Sequence, residues 1–375
     1  MPDSKHCSEA NRSRPMSRRS ILKASAALSF GVAAVRFPTP AIAQTRSINF
    51  TLPWLANGSL LYPYVAKNQG YFKKRGLDVS ISRGFGSVAA AQAIAGGKFE
   101  YGLVFAGGTI LGAARGLPLI AMGTFGYDAT MGIALRGDSP IKEPKDLEGK
   151  QIGIVTASAE APYWPAFARK AGIDTSGISM VQMDNRVLEQ SLVNKKVDAV
   201  TAIGTSTIPV MLAMNEPCRF MLWSKEDVSL YAAQIVTRRD TLAKDKGLAR
   251  AITEALFEGL VFGLRDPEAA VDVFIKEVPE IGITKGGKEN ARLSQGLMHF
   301  TVLSDEAEKH SIGYSDMTKA GEMIDMVMEF GAPKDAKKPA VDDVFTNEFI
   351  GSAKLSEKEW AQVRKNVAEY AAILG

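Results

Sequence analysis

The same order of strands and helices runs through this chain twice, and that repetition limits what it can fold into. In the first pass, Ile48 to Trp54, Leu77 to Ile81, Phe99 to Phe105 and Leu119 to Thr124 read as strands. Leu60 to Arg75, Ser87 to Ala95 and Thr109 to Arg115 read as helices between them, the first stopped by Gly76 and the second by Gly96-Gly97. In the second pass, Gln151 to Thr156, Ser179 to Met183, Ala199 to Ile203 and Arg219 to Trp223 read as strands, with helices at Ala161 to Ala171 and Val187 to Val193. One submotif recurs: Ala95-Gly96-Gly97-Lys98-Phe99-Glu100 and Val193-Asn194-Lys195-Lys196-Val197-Asp198, which lie 98 positions apart from Glu100 to Asp198. Solenoid units are shorter, about 20 to 50 residues. The pattern predicts two similar α/β lobes, each a parallel or mixed sheet with helices on both faces.

Two apolar segments bracket the second pass, Met131 to Leu135 and Tyr231 to Val236, and read as the crossover strands of a hinge. After Asp240 the chain turns helical. Leu248 to Leu264, Glu268 to Glu277 and Glu322 to Phe330 carry apolar residues at helical spacing and are expected to return to the first lobe. Gly331 to Pro339 is a polar linker. Ser356 to Leu374 is a final amphipathic helix, with Ser356 as N-cap and Glu359 completing a capping box. The expected division is 44–133 plus 234–375 for the first lobe and 134–233 for the second.

The N-terminus is an address. Arg18 and Arg19 stand before the apolar run Ala24 to Val35, which is followed by Pro38, Pro40 and the small-x-small site Ala41-Ile42-Ala43. Basic, apolar and cleavage regions in that order make a secretory signal peptide over 1–43, of twin-arginine type. The run of 12 residues is short against the roughly 20 that span a bilayer. No cysteine follows it to carry a lipid anchor. Cleavage after Ala43 shortens 375 residues to 332 and removes seven basic and two acidic residues, leaving 38 basic against 39 acidic. The net charge of +4 becomes −1, so a nucleic-acid partner is disfavoured. Of two cysteines, Cys7 lies in the removed segment and Cys218 is left alone. With His299 and His310 as the histidines beyond residue 43, a zinc cage is not expected, and no cofactor is.

Three stretches carry a family resemblance. They are Tyr64-Val65-Ala66-Lys67-Asn68-Gln69-Gly70-Tyr71-Phe72-Lys73-Lys74-Arg75-Gly76-Leu77-Asp78-Val79, then Asp146-Leu147-Glu148-Gly149-Lys150-Gln151-Ile152-Gly153, and Val341-Asp342-Asp343-Val344-Phe345-Thr346-Asn347. From about Ile48 to the C-terminus the chain resembles the solute-binding proteins of ABC importers for nitrate, sulfonates, taurine and thiamine-type pyrimidines. The resemblance implies the type II periplasmic binding protein fold, two α/β lobes on a two-strand hinge closing on a ligand. The same superfamily holds an iron-dependent pyrimidine synthase with a cysteine-rich motif, which this chain lacks.

Ligands of open α/β sheets sit beyond the carboxyl ends of the strands. The loops leaving those ends here hold Trp54, Asn57, Phe85, Gly86, Ser87, Gly107, Gly108, Thr109 and Tyr127 in the first pass. In the second they hold Ser158, Glu160, Tyr163, Asn185 and Thr205. Glycine admits a ligand close to backbone N–H groups. Ser87 and Thr109 are placed at helix N-termini that hold anions, and each equally fits a plain N-cap. Trp54 and Phe85 are placed to sandwich a flat ring, or to pack between lobes. Glu160 and Asp128 are acidic and few arginines fall in these loops, which favours a small organic solute over an inorganic oxyanion. Lys67 and Arg83 keep a sulfonate open.

The expected function is therefore the periplasmic substrate-binding component of an ABC transporter. It is expected to work as a monomer that hands a pyrimidine- or sulfonate-like solute to an inner-membrane permease. The alternatives are an enzyme of the same fold, for which no Gly-x-Ser-x-Gly elbow or positioned base appears, and a periplasmic sensor domain.

Overall fold

The computed structural model describes residues 45–374. The signal peptide read over 1–43 lies outside the described residues. Among the described residues ten strands form two five-stranded sheets. The first has the order β2-β1-β3-β10-β4: β1 Arg46–Thr51, β2 Leu77–Ser82, β3 Tyr101–Phe105, β4 Leu119–Thr124 and β10 Ala233–Arg238. The second has the order β7-β6-β8-β5-β9: β5 Met131–Arg136, β6 Gln151–Ile154, β7 Ser179–Gln182, β8 Ala199–Ile203 and β9 Cys218–Leu222. Each sheet is mixed for the same reason. The strand that follows each crossover enters its sheet antiparallel: β10 between β3 and β4, and β5 between β8 and β9.

The crossovers sit mostly beside the apolar segments expected to form them: of those segments only Tyr231 and Ala232 fall within a crossover. Met131 pairs with Ile203 and Ala233 with Phe105, so β5 and β10 each belong to one sheet. The chain crosses between sheets at 125–130 and 224–232. These segments lie side by side through Phe125 N–H to Ala233 O (2.9 Å), Ala232 N–H to Gly126 O (2.9 Å) and Ala129 N–H to Leu230 O (2.8 Å). β5 and half of β10 are apolar because both faces of a central strand are buried. The crossover carries Gly126, Asp128 and Thr130, the last at φ +49°.

Four helical segments depart from the sequence expectation. Leu60 to Arg75 is not one helix. A 3₁₀ turn Gly58–Leu60 leads to the helix Tyr62–Asn68, and Gly70 at φ +73° then breaks the chain before a second turn, Lys73–Arg75. The helix after β3 begins at Ala106, three residues before Thr109, and a helix Gly204–Ala213 follows β8 directly where a loop was expected. Both follow their strand with no linker, so their glycines and hydroxyls look like loop and are first turn. The helix Gly287–Val302 is hidden in the polar stretch Gly287-Lys288-Glu289-Asn290. It forms because it packs on its neighbours: a Cβ on Gly296 would run into the Tyr370 ring of the last helix.

The C-terminal helices return to the first sheet as expected. Leu256, Leu260, Phe274, Leu297, Trp360 and Val363 share one core with Ile48, Phe50 and Tyr101. The last helix, Glu357–Ala371, starts on the Ser356–Glu359 capping box. No described helix is long and apolar enough to cross a membrane.

Candidate functional site

The carboxyl ends of both sheets meet at a cavity of about 40 Å³. Pro53, Trp54, Ser59, Leu60, Ser87 and Phe105 line it from the first sheet's side. Ser158, Ala159, Glu160, Thr201, Ile203, Ser206 and Thr207 line it from the second. That volume holds a few waters or a very small solute, so a ring-sized ligand requires the two sides to part.

Trp54 is half-buried and packs against the cores of both sheets. The second aromatic ring lining the cavity is Phe105 rather than Phe85. Phe85 stays 57% exposed with the Arg83 guanidinium 5.2 Å from its ring centre. The turn explains this: Gly84 presses on the Pro53 backbone and Gly86, at φ +126°, on the Ala157 carbonyl, which throws Phe85 outward.

Ser87 lines the cavity but is no N-cap. Gly86 takes that place, and Ser87 Oγ accepts the Phe105 N–H at 3.0 Å, tying the end of β3 to the helix Ser87–Ala95. Thr109 is fully buried inside the first turn of its helix, with its hydroxyl unpartnered and away from the cavity. Gly107 and Tyr163 close the two sides on each other: the Tyr163 hydroxyl donates to Gly107 O at 2.7 Å. Gly108 packs on Ser87. Tyr127 lies in the crossover, edge-on to Tyr231 with centroids 5.4 Å apart, and donates to Tyr314 O at 3.0 Å. Asn57 stands behind the cavity wall, accepting the Ser59 N–H at 3.0 Å and donating to Ser206 Oγ at 3.2 Å. Thr205 and Asp128 border a second, smaller space by the crossover. Asn185 is buried with Nδ2 unpartnered and does not line the cavity, and Lys67 is exposed on its helix.

The electrostatic character comes from Glu160. It is 2% exposed, and its Oε1 accepts from Ser158 Oγ at 2.6 Å and Thr201 Oγ1 at 3.1 Å. Burial pushes its carboxyl above the usual range, against the pull of those hydroxyls. None of the residues lining the cavity is basic. Among the described residues no cluster of His, Cys, Asp or Glu is arranged to hold a metal ion. His299 is buried in the C-terminal helices, where desolvation lowers its pKa to about 3. Cys218 is half-buried and pushed up to about 12 by the same effect.

Sequence reasoning missed Phe105, Thr201 and Thr207, and did not single out Ser59 and Ser206, although both stand in stretches it placed at the cleft. Thr201 sat inside an expected strand and Ser206 inside a helix read as loop. The available signal was the run of hydroxyls Thr201, Thr205, Ser206 and Thr207 around a strand end.

Two mixed sheets, two crossovers and a cavity between their carboxyl ends define the two-lobed α/β fold of periplasmic binding proteins. Within that class, the chain belongs to the NMT1/THI5-like family, whose model matches residues 58–270. It is 23% identical over 329 residues to the riboflavin-binding protein RibY of Chloroflexus aurantiacus, covering 84% of this chain and 89% of that protein. It is 21% identical over 238 residues to a formylaminopyrimidine-binding protein of Halalkalibacterium halodurans, covering 62% and 71%. Among solved structures, a protein of Bordetella bronchiseptica RB50 superposes with a TM-score of 0.65 at 19% identity, covering 87% of this chain and 98% of that one. The alkanesulfonate-binding protein SsuA of Xanthomonas axonopodis pv. citri, bound to MOPS, gives 0.60 at 13% identity, covering 80% and 98%. The structural likeness establishes the fold.

Proposed function

We propose that this protein is the solute-binding component of an ABC importer. It captures a small organic solute between two lobes and presents it to a membrane permease. The observation that carries this reading is the cavity where the carboxyl ends of both sheets meet, walled by Trp54 and Phe105 and polar through Ser87, Ser158, Glu160 and Thr201. The lobes divide at the crossover segments 125–130 and 224–232, a little before the expected 133/134 and 233/234, so that β5 falls whole in the second lobe and β10 whole in the first. The protein acts as a monomer in the periplasm, carried there by the twin-arginine-type signal over 1–43 and free of a lipid anchor.

The reading is non-catalytic. Both histidines of 45–374 lie in the C-terminal helices, and the cavity hydroxyls of Ser158, Thr201 and Thr207 meet only buried carboxyls, with no histidine or lysine lining the cavity to complete a catalytic set. Of the two solute classes, pyrimidine-like solutes suit the site better than sulfonates. Their ring nitrogens and amino groups can meet Glu160, whereas a sulfonate would face a buried carboxyl with no basic partner.

A thermal-shift screen of the protein without residues 1–43 tests the reading. The panel is pyrimidines, flavins, alkanesulfonates, taurine and nitrate, and a bound solute raises the melting temperature by mass action. No shift with any member, alongside an intact circular dichroism spectrum, would sink the solute-binding role. For export, Arg18→Lys with Arg19→Lys should leave the precursor in the cytoplasm. Normal periplasmic yield in cells lacking the twin-arginine machinery would remove that part of the proposal.

A further inference from the structure

A second buried carboxyl stands behind the cavity wall, close enough to Glu160 to act on it. Glu189 lies in the first turn of the helix Leu188–Val193, next to Leu188, which lines the cavity. Its Oε1 accepts from Thr207 Oγ1 at 2.8 Å, and Thr207 lines the cavity as well. Glu160 reaches the same space from the loop after β6, and both carboxyls are buried, at 9% and 2% exposure. No cation answers either one. Arg136, on a strand packed against the Glu189 helix, points its guanidinium at the Leu192 carbonyl and at Asp138. The other titratable group facing Glu189 is the Cys218 thiol, which burial keeps protonated. Burial raises both carboxyls, and the Glu189 charge raises Glu160 further. The two hydroxyls on Glu160 both fall on Oε1, leaving Oε2 without a side-chain donor.

We propose that Glu189 sets the charge of this site: it helps keep Glu160 protonated until a solute with a cationic, amidine-type edge binds, whereupon Glu160 ionises and its proton leaves to bulk water. This rests on the solute-binding reading and names the chemistry of the solute. An amidinium edge offers two N–H donors flanking one carbon, the partner a carboxylate takes in a bidentate pair. It also supplies the positive charge that the cavity wall lacks. A buried carboxyl beside a like charge is costly to ionise alone, and a bound cation reverses that balance.

Acetamidinium is the probe, small enough for the cavity, with acetamide as its neutral isostere. Calorimetry in two buffers of different ionisation heat counts the protons released. Acetamidinium should bind with release of up to about one proton per site near neutral pH. Acetamide should bind at least about tenfold more weakly. Glu160→Gln should erase the preference between the two. Glu189→Gln keeps an oxygen for Thr207 and removes the like charge, so its proton release near neutral pH should be smaller than the wild type's. Equal binding of amidine and amide, no proton release, or an unchanged count in Glu189→Gln overturns the proposal. Carboxyl ¹³C titration reads the pair without any solute. The Glu160 resonance should titrate above the exposed glutamates and move down in Glu189→Gln, and a fixed midpoint overturns the role of Glu189. If sulfonates bind in the screen and acetamidinium does not, the solute-binding role stands and this selectivity falls. If nothing binds, the broader reading falls with it.

Discussion

The Tyr163 hydroxyl donates to the Gly107 carbonyl at 2.7 Å, and the ring lies where a side chain at 107 would be. A Cβ on Gly107 would sit 2.5 Å from the ring, closer than packed atoms tolerate. Tyr163 comes from the segment after β6 and Gly107 from the helix after β3, so this contact fastens the second sheet's side of the cavity to the first's.

Gly107→Ala should therefore hold the walls apart without unfolding either sheet. Overpacking of this kind costs about 1–3 kcal/mol, so solute affinity should fall about tenfold to a hundredfold. Tyr163→Phe loses only the hydrogen bond, worth about 0.5–1.5 kcal/mol, and should weaken binding less. Calorimetry on both variants ranks them. An alanine variant that binds like wild type would show that closure does not pass through this contact.

Trp54→Ala removes the side chain that packs on both cores and walls the cavity. Lost burial of that size is worth about 1–3 kcal/mol, again about one to two decades in dissociation constant. Phe85→Ala should change affinity little, because Phe85 points to solvent. Comparable losses in the two variants would mean that Phe85 turns inward when a solute binds.

That contrast marks how far the sequence could be read. Strand periodicity placed β2, β4 and β8 to within a residue, and Trp54, Ser87, Ser158 and Glu160, picked out because they follow strand ends, do line the cavity. Phe85 failed because its direction depends on two glycine contacts, with Pro53 and Ala157, that no local pattern encodes. Thr109 and Gly107 failed because strand and helix join without a loop, so a first helical turn looked like a binding loop. Glu189 was invisible for a different reason. A glutamate in a helix's first turn reads as a surface residue, and only the packed structure buries it beside Glu160.

Burial of Glu160 fixes the sign of a pH effect. Its folded-state pKa is raised, so the folded protein holds more protons than the unfolded chain as pH climbs past the ordinary glutamate range. Glu160 therefore costs stability increasingly as pH rises from that range, at about 1.4 kcal/mol per unit of elevation once both states are ionised. Glu160→Gln should melt higher than wild type near neutral pH, and the gap should shrink in acid. Melting curves across pH for the two proteins decide it. A variant that is less stable at neutral pH would mean that the Ser158 and Thr201 hydroxyls more than offset the burial penalty.

Ser294 offers the cleanest test of closure, because its hydroxyl joins the C-terminal helices to both walls. Ser294 Oγ accepts the Ser59 N–H at 2.9 Å and donates to the Thr205 carbonyl at 2.6 Å. Asn57 adds a parallel link to Ser206 at 3.2 Å. Ser59 belongs to the first wall, whereas Thr205 opens the helix that follows β8 in the second. Ser294→Ala strips both bonds at a buried position and leaves the Thr205 carbonyl without that partner, a loss of about 1–3 kcal/mol. Ser59 N–H keeps Asn57 Oδ1, so the first wall should stay intact. The loss should fall on the contact between walls, moving the population toward an open form by about one to two decades. Small-angle scattering should then give a larger radius of gyration than wild type, restored by saturating solute. Equal radii, with unchanged melting, would place the resistance to opening elsewhere, and the Tyr163–Gly107 contact would be the next position to test.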